Sequence, residues 1–164
     1  MVEIRTERLL LRRARMDDLT AIHAMMSNPI AMRYWSSPPH ASLEQSEAWM
    51  RSMVDGDLAT SDDFIVERDG RAIGKLGCWA LPEIGFLFDP ATWGRGYASE
   101  AMDAFLSRRR ALGSPNAITA DVDPRNAASL RLLQRHRFCE VGRASRTWRV
   151  GEAWCDSVYL ELRL

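Results

Sequence analysis

Gly94-Arg95-Gly96 stands between Asp89-Pro90 and a long helical pattern, the arrangement that turns free backbone N–H groups toward an anion. The two glycines open dihedrals closed to other residues and leave no Cβ in the way, while Arg95 adds positive charge, so a pyrophosphate fits there. An ordinary glycine-rich helix entry competes with this reading. Neither GxGxxG nor GxxxxGK[ST] occurs, which excludes the usual dinucleotide and P-loop cradles on spacing alone. Just upstream, EIGFLF alternates, with Glu83, Gly85 and Leu87 on one face and Ile84, Phe86 and Phe88 on the other. Glu83 is then a lone carboxylate among apolar neighbours. A carboxylate so placed can take the proton of an amine, which arrives as ammonium, and desolvation raises its pKa toward that task. A solvated residue opening a strand after Pro82 is the competing reading. Downstream, Asn126 and Ser129 are three apart, a spacing that shares one helix face. His23, His40 and His136 are scattered, and Cys78, Cys139 and Cys155 show no CxxC or Cys/His spacing, so metal, triad and disulfide chemistry are not expected.

These residues need elements to hold them. Glu7 to Arg13 reads as a β run, followed by apolar residues at helical spacing from Met16 to Met26 behind Asp17 and Asp18. Three prolines between Asn28 and Ser42 predict a long loop, and Ser42 with Gln45 predicts a capping box opening a helix through Leu58. Phe64 to Glu67, the Asp69-Gly70 turn and Ala72 to Trp79 form a hairpin pattern, with a third β run at Glu83 to Phe88. A helix is expected from Gly94 to Leu112, closed by Gly113, then a strand at Ala117 to Val122. Asp123 suits an N-cap, with Pro124 at the first position of a helix running from Asn126 to His136. Two β runs, Phe138 to Trp148 and Ala153 to Leu162, turn at Gly151.

Without repeats, low-complexity tracts or linkers, residues 1–164 read as one α/β (α+β) domain. The 22 basic and 22 acidic residues balance, so no global charge steers the chain toward nucleic acid or a membrane surface. No apolar segment approaches a membrane span. Together with the unpaired cysteines this leads us to expect a reducing, cytoplasmic setting.

The stretch EIGFLFDPATWGRGYASEA resembles the acyl-CoA-binding motif of the GNAT acetyltransferases, most closely the branch of ribosomal-protein N-terminal alanine acetyltransferases. The superfamily's Gln/Arg-x-x-Gly-x-Gly/Ala falls on Trp93 to Ala98, where Gly96 and Ala98 match and Trp93 replaces the polar first residue. ADVDPRNAASLRLLQRHRF resembles the second motif through Asn126, Ser129 and Phe138, although Arg137 stands where the family has Gly. TERLLLRR and CDSVYLELR extend the likeness over nearly the whole chain. The resemblance implies a mixed, mostly antiparallel sheet of about seven strands flanked by about four helices. It implies acetyl-CoA as cofactor, held by Phe86, Leu87, Phe88, Trp93, Gly94, Arg95, Gly96, Tyr97, Ala98 and Ser99 with Asn126 and Ser129. Phe86 to Phe88 would offer free backbone to the pantetheine amides. Glu83 would be the base, Asn126 would hydrogen-bond cofactor or acceptor, and Ser129 would protonate the leaving thiolate. The acceptor wall would carry Tyr34, Trp35, Ser36 and His40, with Trp35 equally suited to core packing. The expected reaction is direct acetyl transfer to a primary amine, either a protein N-terminus or a small molecule, by a monomer or homodimer. A non-catalytic acyl-CoA-binding module is the rival from another class.

Overall fold

The computed structural model describes residues 2–164. Eight strands form one sheet: β1 (Glu3–Arg5), β2 (Leu10–Arg12), β3 (Asp62–Arg68), β4 (Arg71–Ala80), β5 (Glu83–Phe88), β6 (Ala117–Val122), β7 (Cys139–Val150) and β8 (Ala153–Arg163). Their order is β1-β2-β3-β4-β5-β6-β8-β7, and every pairing is antiparallel except β5 with β6. Four α-helices accompany them: α1 (Leu19–Met26), α2 (Leu43–Val54), α3 (Tyr97–Leu112) and α4 (Ala127–Arg135). The count is thus eight strands rather than about seven. The extra one is Glu3–Arg5, because the run starting at Glu7 is broken by a turn in which Thr6 bonds Leu9 before β2 begins.

Each face of the sheet has its own core. Phe64, Leu76, Ile84, Phe88, Ile118 and Leu160 pack with Phe105 of α3 and Leu133 of α4. Ile65 and Leu87 face the other way, against Met25 and Met26 of α1 and Met50 of α2. The alternation read in β5 is therefore realised, with Leu87 in one layer and Ile84 and Phe88 in the other.

Local sequence accounts for most boundaries. Asp69 and Gly70 both take positive φ, as the hairpin between β3 and β4 requires. Ser42 caps α2 by accepting from the Gln45 N–H, and Gln45 Oε1 accepts in return from the Ala41 N–H. Three boundaries differ. Helix α2 stops at Val54, because Asp55 leaves the helical region and Asp57 closes its own turns with Ala59, Thr60 and Ser61. Helix α3 starts at Tyr97, because Gly94 and Gly96 are both left-handed. Helix α4 is capped by Asn126, whose Oδ1 accepts from the Ser129 N–H, while Asp123 turns its carboxylate onto Arg125.

Candidate active site

Strand β5 is paired along its length with β4, but it meets β6 only at Glu83 and Thr119. Beyond that point the parallel strands part. Pro82 O accepts from Thr119 N on the β6 side, and Asp89 N donates to Ile73 O on the β4 side. Backbone alternation then puts the polar groups of Phe86 and Phe88 on the open edge and those of Leu87 on the β4 side. Part of the open edge is taken: the Trp93 indole N–H donates to Phe88 O at 3.0 Å. The free pairing capacity centres on Phe86, and Leu87 is turned away with its side chain in the α1/α2 core.

The open edge leads to the start of α3. Gly94 (φ 72°) and Gly96 (φ 79°) are left-handed, and a Cβ on Gly94 would have nothing within 4 Å. The side chains of Tyr97 and Ala98 point into the core, and Ser99 Oγ lies 3.4 Å from His136 Nε2, so the first turn of α3 offers backbone N–H groups. Arg8, outside the expected set, braces this loop. Its Nη1 donates to Arg95 O at 3.0 Å, its guanidinium lies 4.8 Å from the Tyr97 ring centre, and it pairs with Glu100. Burial alone would raise the Glu100 carboxyl, but hydrogen bonds from Thr6 and Arg8 outweigh it and leave the pKa lowered. Arg8 falls within the TERLLLRR stretch of the resemblance, but its role depends on a contact across 92 positions that no local pattern encodes.

On the face opposite α3 and α4, the gap opens into a cleft of about 950 Å³. Glu83 lines it, and so do Tyr34, Trp35 and Ser36 from the proline-rich loop. His40 does not. It sits behind the wall, its Nδ1 2.8 Å from Ser46 Oγ, which also meets His23 Nδ1 at 2.8 Å. Burial, and secondarily the charge of His23, lowers the His40 pKa. His136 is likewise outside the cleft, buried between α3 and α4 with Nδ1 donating to Leu132 O.

Glu83 keeps solvent contact, yet its pKa is raised, first by desolvation and then by the charge of Asp121. Asp121 lies on the same face of β6, two residues beyond the Glu83–Thr119 bridge. Polar residues at 119 and 121, alternating with buried Ile118, Ala120 and Val122, were the signal for this position in the sequence. The floor of the cleft holds Lys75, paired with Asp63 at 2.8 Å and buried with it. Asn126 and Ser129 lie at the start of α4, which follows β6 just past the point where the strands part; both are half-buried, and neither lines the cleft. The Cys78 thiol is pushed up to about 12, mainly by burial and then by Asp63, which removes it as a nucleophile.

The family profile described as an acetyltransferase (GNAT) domain matches residues 8–138. The chain is 28% identical over 151 residues to the uncharacterized N-acetyltransferase p20 of Bacillus licheniformis, covering 87% of this chain and 85% of that protein. A Salmonella typhimurium acetyltransferase described as modifying the N-terminal serine of ribosomal protein L7/L12 superposes with a TM-score of 0.88 at 17% identity, over 99% of both chains. Spermidine N-acetyltransferase from Vibrio cholerae, solved with CoA and spermine, superposes with a TM-score of 0.82 at 20% identity, over 96% of both chains.

Proposed function

The chain belongs to the GNAT acetyltransferase family, and we propose that it moves an acetyl group from acetyl-CoA directly to a primary amine bound in the cleft beside Glu83. The observation that carries this reading is the parting of β5 and β6 next to a left-handed glycine loop, with a carboxylate of raised pKa at the point where the gap begins. The residues present fit the cofactor. The open edge at Phe86 matches a pantetheine arm, and Gly94 and Gly96 leave room for a pyrophosphate at the start of α3.

Acetyl-CoA, when bound, would supply the acetyl group as an activated thioester. Glu83 takes a proton from the incoming ammonium, directly or through water, which frees the nitrogen lone pair. As the N–C bond forms and the C–S bond breaks, Ser129 would pass its hydroxyl proton to the departing sulfur and recover one from the second proton that the acylated nitrogen sheds. Asn126 spends Oδ1 on the helix cap and keeps its NH₂ group for the cofactor or the acceptor. No residue needs to carry the acyl group, so holding both reactants together supplies much of the rate.

Thiol release from acetyl-CoA over a panel of amines tests this. Turnover with at least one amine is expected. CoA binding without turnover on any amine would favour a catalytically silent acyl-CoA module, and absence of CoA binding would sink both readings. The related structures include one described as modifying a protein N-terminal serine and one named as a spermidine N-acetyltransferase.

A further inference from the structure

We propose that the acceptor is a small amine carrying a second positive centre, of the short linear diamine type, and that Asp121 is the residue that selects it by holding the charge that does not react. The inference rests on the acetyl-transfer reading of the same cleft.

Charge in the cleft is unevenly settled. Five carboxylates line it, from Asp63, Glu83, Asp121, Asp123 and Asp156, against the cations Arg33, Lys75 and Arg125. Lys75 is committed to Asp63 at 2.8 Å, and Arg125 to Asp123 at 2.6 Å. Arg125 and Arg33 both lie near the Tyr34 ring, at 5.8 and 5.2 Å from its centre. Asp156 accepts from the Arg146 backbone N–H at 2.8 Å. Among the described residues, Glu83, Asp121 and Asp156 have no cation within 4 Å, and of these Glu83 and Asp121 flank the gap between β5 and β6. Two carboxylates on neighbouring strands thus face one cavity unneutralised, and besides its desolvation Glu83 feels the charge of Asp121.

Asp121 carries a second mark. Trp148 Nε1 donates to its Oδ2 at 2.8 Å, which fixes the carboxylate, while Oδ1 is buried and has no partner. An orphaned carboxylate oxygen in a partly dry site costs stability until a donor reaches it, and an ammonium is the donor that also answers its charge. The walls suit a cation. Trp35, Trp49, Trp79 and Trp148, four of the six tryptophans in the chain, line the cleft, and indole faces attract alkylammonium groups. Asp121 lies two residues past Thr119, the partner of Glu83, or about 7 Å further along β6. A short diamine spans that interval, with one nitrogen beside Glu83 and the other on Asp121. A peptide N-terminus offers a single ammonium and leaves one of the two carboxylates unanswered.

The test measures kcat/KM by thiol release with 1,4-diaminobutane, butylamine and a peptide beginning with Ala, on wild type and Asp121→Asn. It is joined by calorimetric binding of 1,4-diaminobutane to the CoA-loaded protein. The diamine is expected to exceed butylamine by at least about tenfold, the worth of one hydrogen bond to a charged group. Asp121→Asn should erase that margin, with KM for the diamine rising toward that for butylamine and CoA affinity unchanged. Equal rates for diamine and butylamine, a preference for the peptide, or a diamine rate indifferent to Asp121→Asn would each overturn the proposal. Should no amine turn over, calorimetry decides: diamine binding lost in Asp121→Asn supports the cation site while removing acetyl transfer, and diamine binding absent from wild type removes the cation site.

Discussion

Asp62 and Asp121 are both aspartates on strands of one sheet, and they are treated in opposite ways. Asp62, at the start of β3, is buried beneath three guanidiniums, with Arg109 at 2.9 Å, Arg108 at 3.1 Å and Arg13 at 3.5 Å. Arg12 is settled likewise between Asp18 and Glu67, at 2.7 and 2.6 Å, joining β2, β3 and the turn before α1. Around Asp121 and Glu83 the charges remain open, and the walls are aromatic. Charges paired with the chain's own counter-ions hold the framework. Charges left unsaturated at a cavity cost stability and are explained by a ligand that answers them.

The largest effect should come from breaking the saturated side. Asp62→Ala leaves three guanidiniums without their carboxylate and should lower stability by about 3–5 kcal/mol, moving the thermal midpoint down on the order of 10 °C in a scanning melt. Activity per folded molecule should be unchanged below the melt; a catalytic defect of its own would erase the contrast between the two regions.

On the open side the pattern reverses. Glu83→Gln should cut kcat by roughly 10²-fold with the fold intact. The sign follows from the raised pKa. The folded protein holds the Glu83 proton more tightly than the unfolded chain does, so ionisation above that pKa works against stability, and Glu83→Gln at neutral pH should leave the melt unchanged or slightly higher. For the rate, the base is active only when ionised, so wild-type turnover should fall as pH drops through the raised pKa, and that acidic limb should disappear in the variant. An unchanged rate and pH profile would remove Glu83 from the mechanism.

The smallest change sharpens the framework side alone. Arg137 sits at φ 68°, after α4 and before the buried Phe138, in the left-handed region that disfavours a side chain. Arg137→Gly should stabilise by about 1 kcal/mol and raise the melting midpoint by roughly 3 °C, with kcat and KM untouched. A melt that does not move would show that the backbone there carries no strain.

Much of this was legible in the chain itself. The alternation of EIGFLF assigned β5 and its two faces, because side chains in a strand alternate whatever it packs against. The pair of glycines located the loop before α3, because left-handed backbone is costly for other residues. Gly in the place of Arg137 would have announced the exit of α4, and the unusual residue was visible from the resemblance, though its φ was not. Boundaries that depend on side-chain competition were misread. Asp123 and Asn126 are both good caps, and Asp123 was drawn off by Arg125, which also sits beside Cys155 of β8.

What tertiary structure decided was which distant charges meet. Arg8 reaches the cradle across the sheet, Asp63 and Lys75 neutralise each other under the cleft, and Trp148 comes from the β7 strand to pin Asp121. Asp63 meets Lys75 through the β3–β4 register, while Arg8 and Trp148 reach their partners only when strands distant in sequence assemble. Local backbone preference determined the elements and the glycine loop. The burial and partnering of each carboxylate, and therefore which of them remains free to act, came from the packed fold.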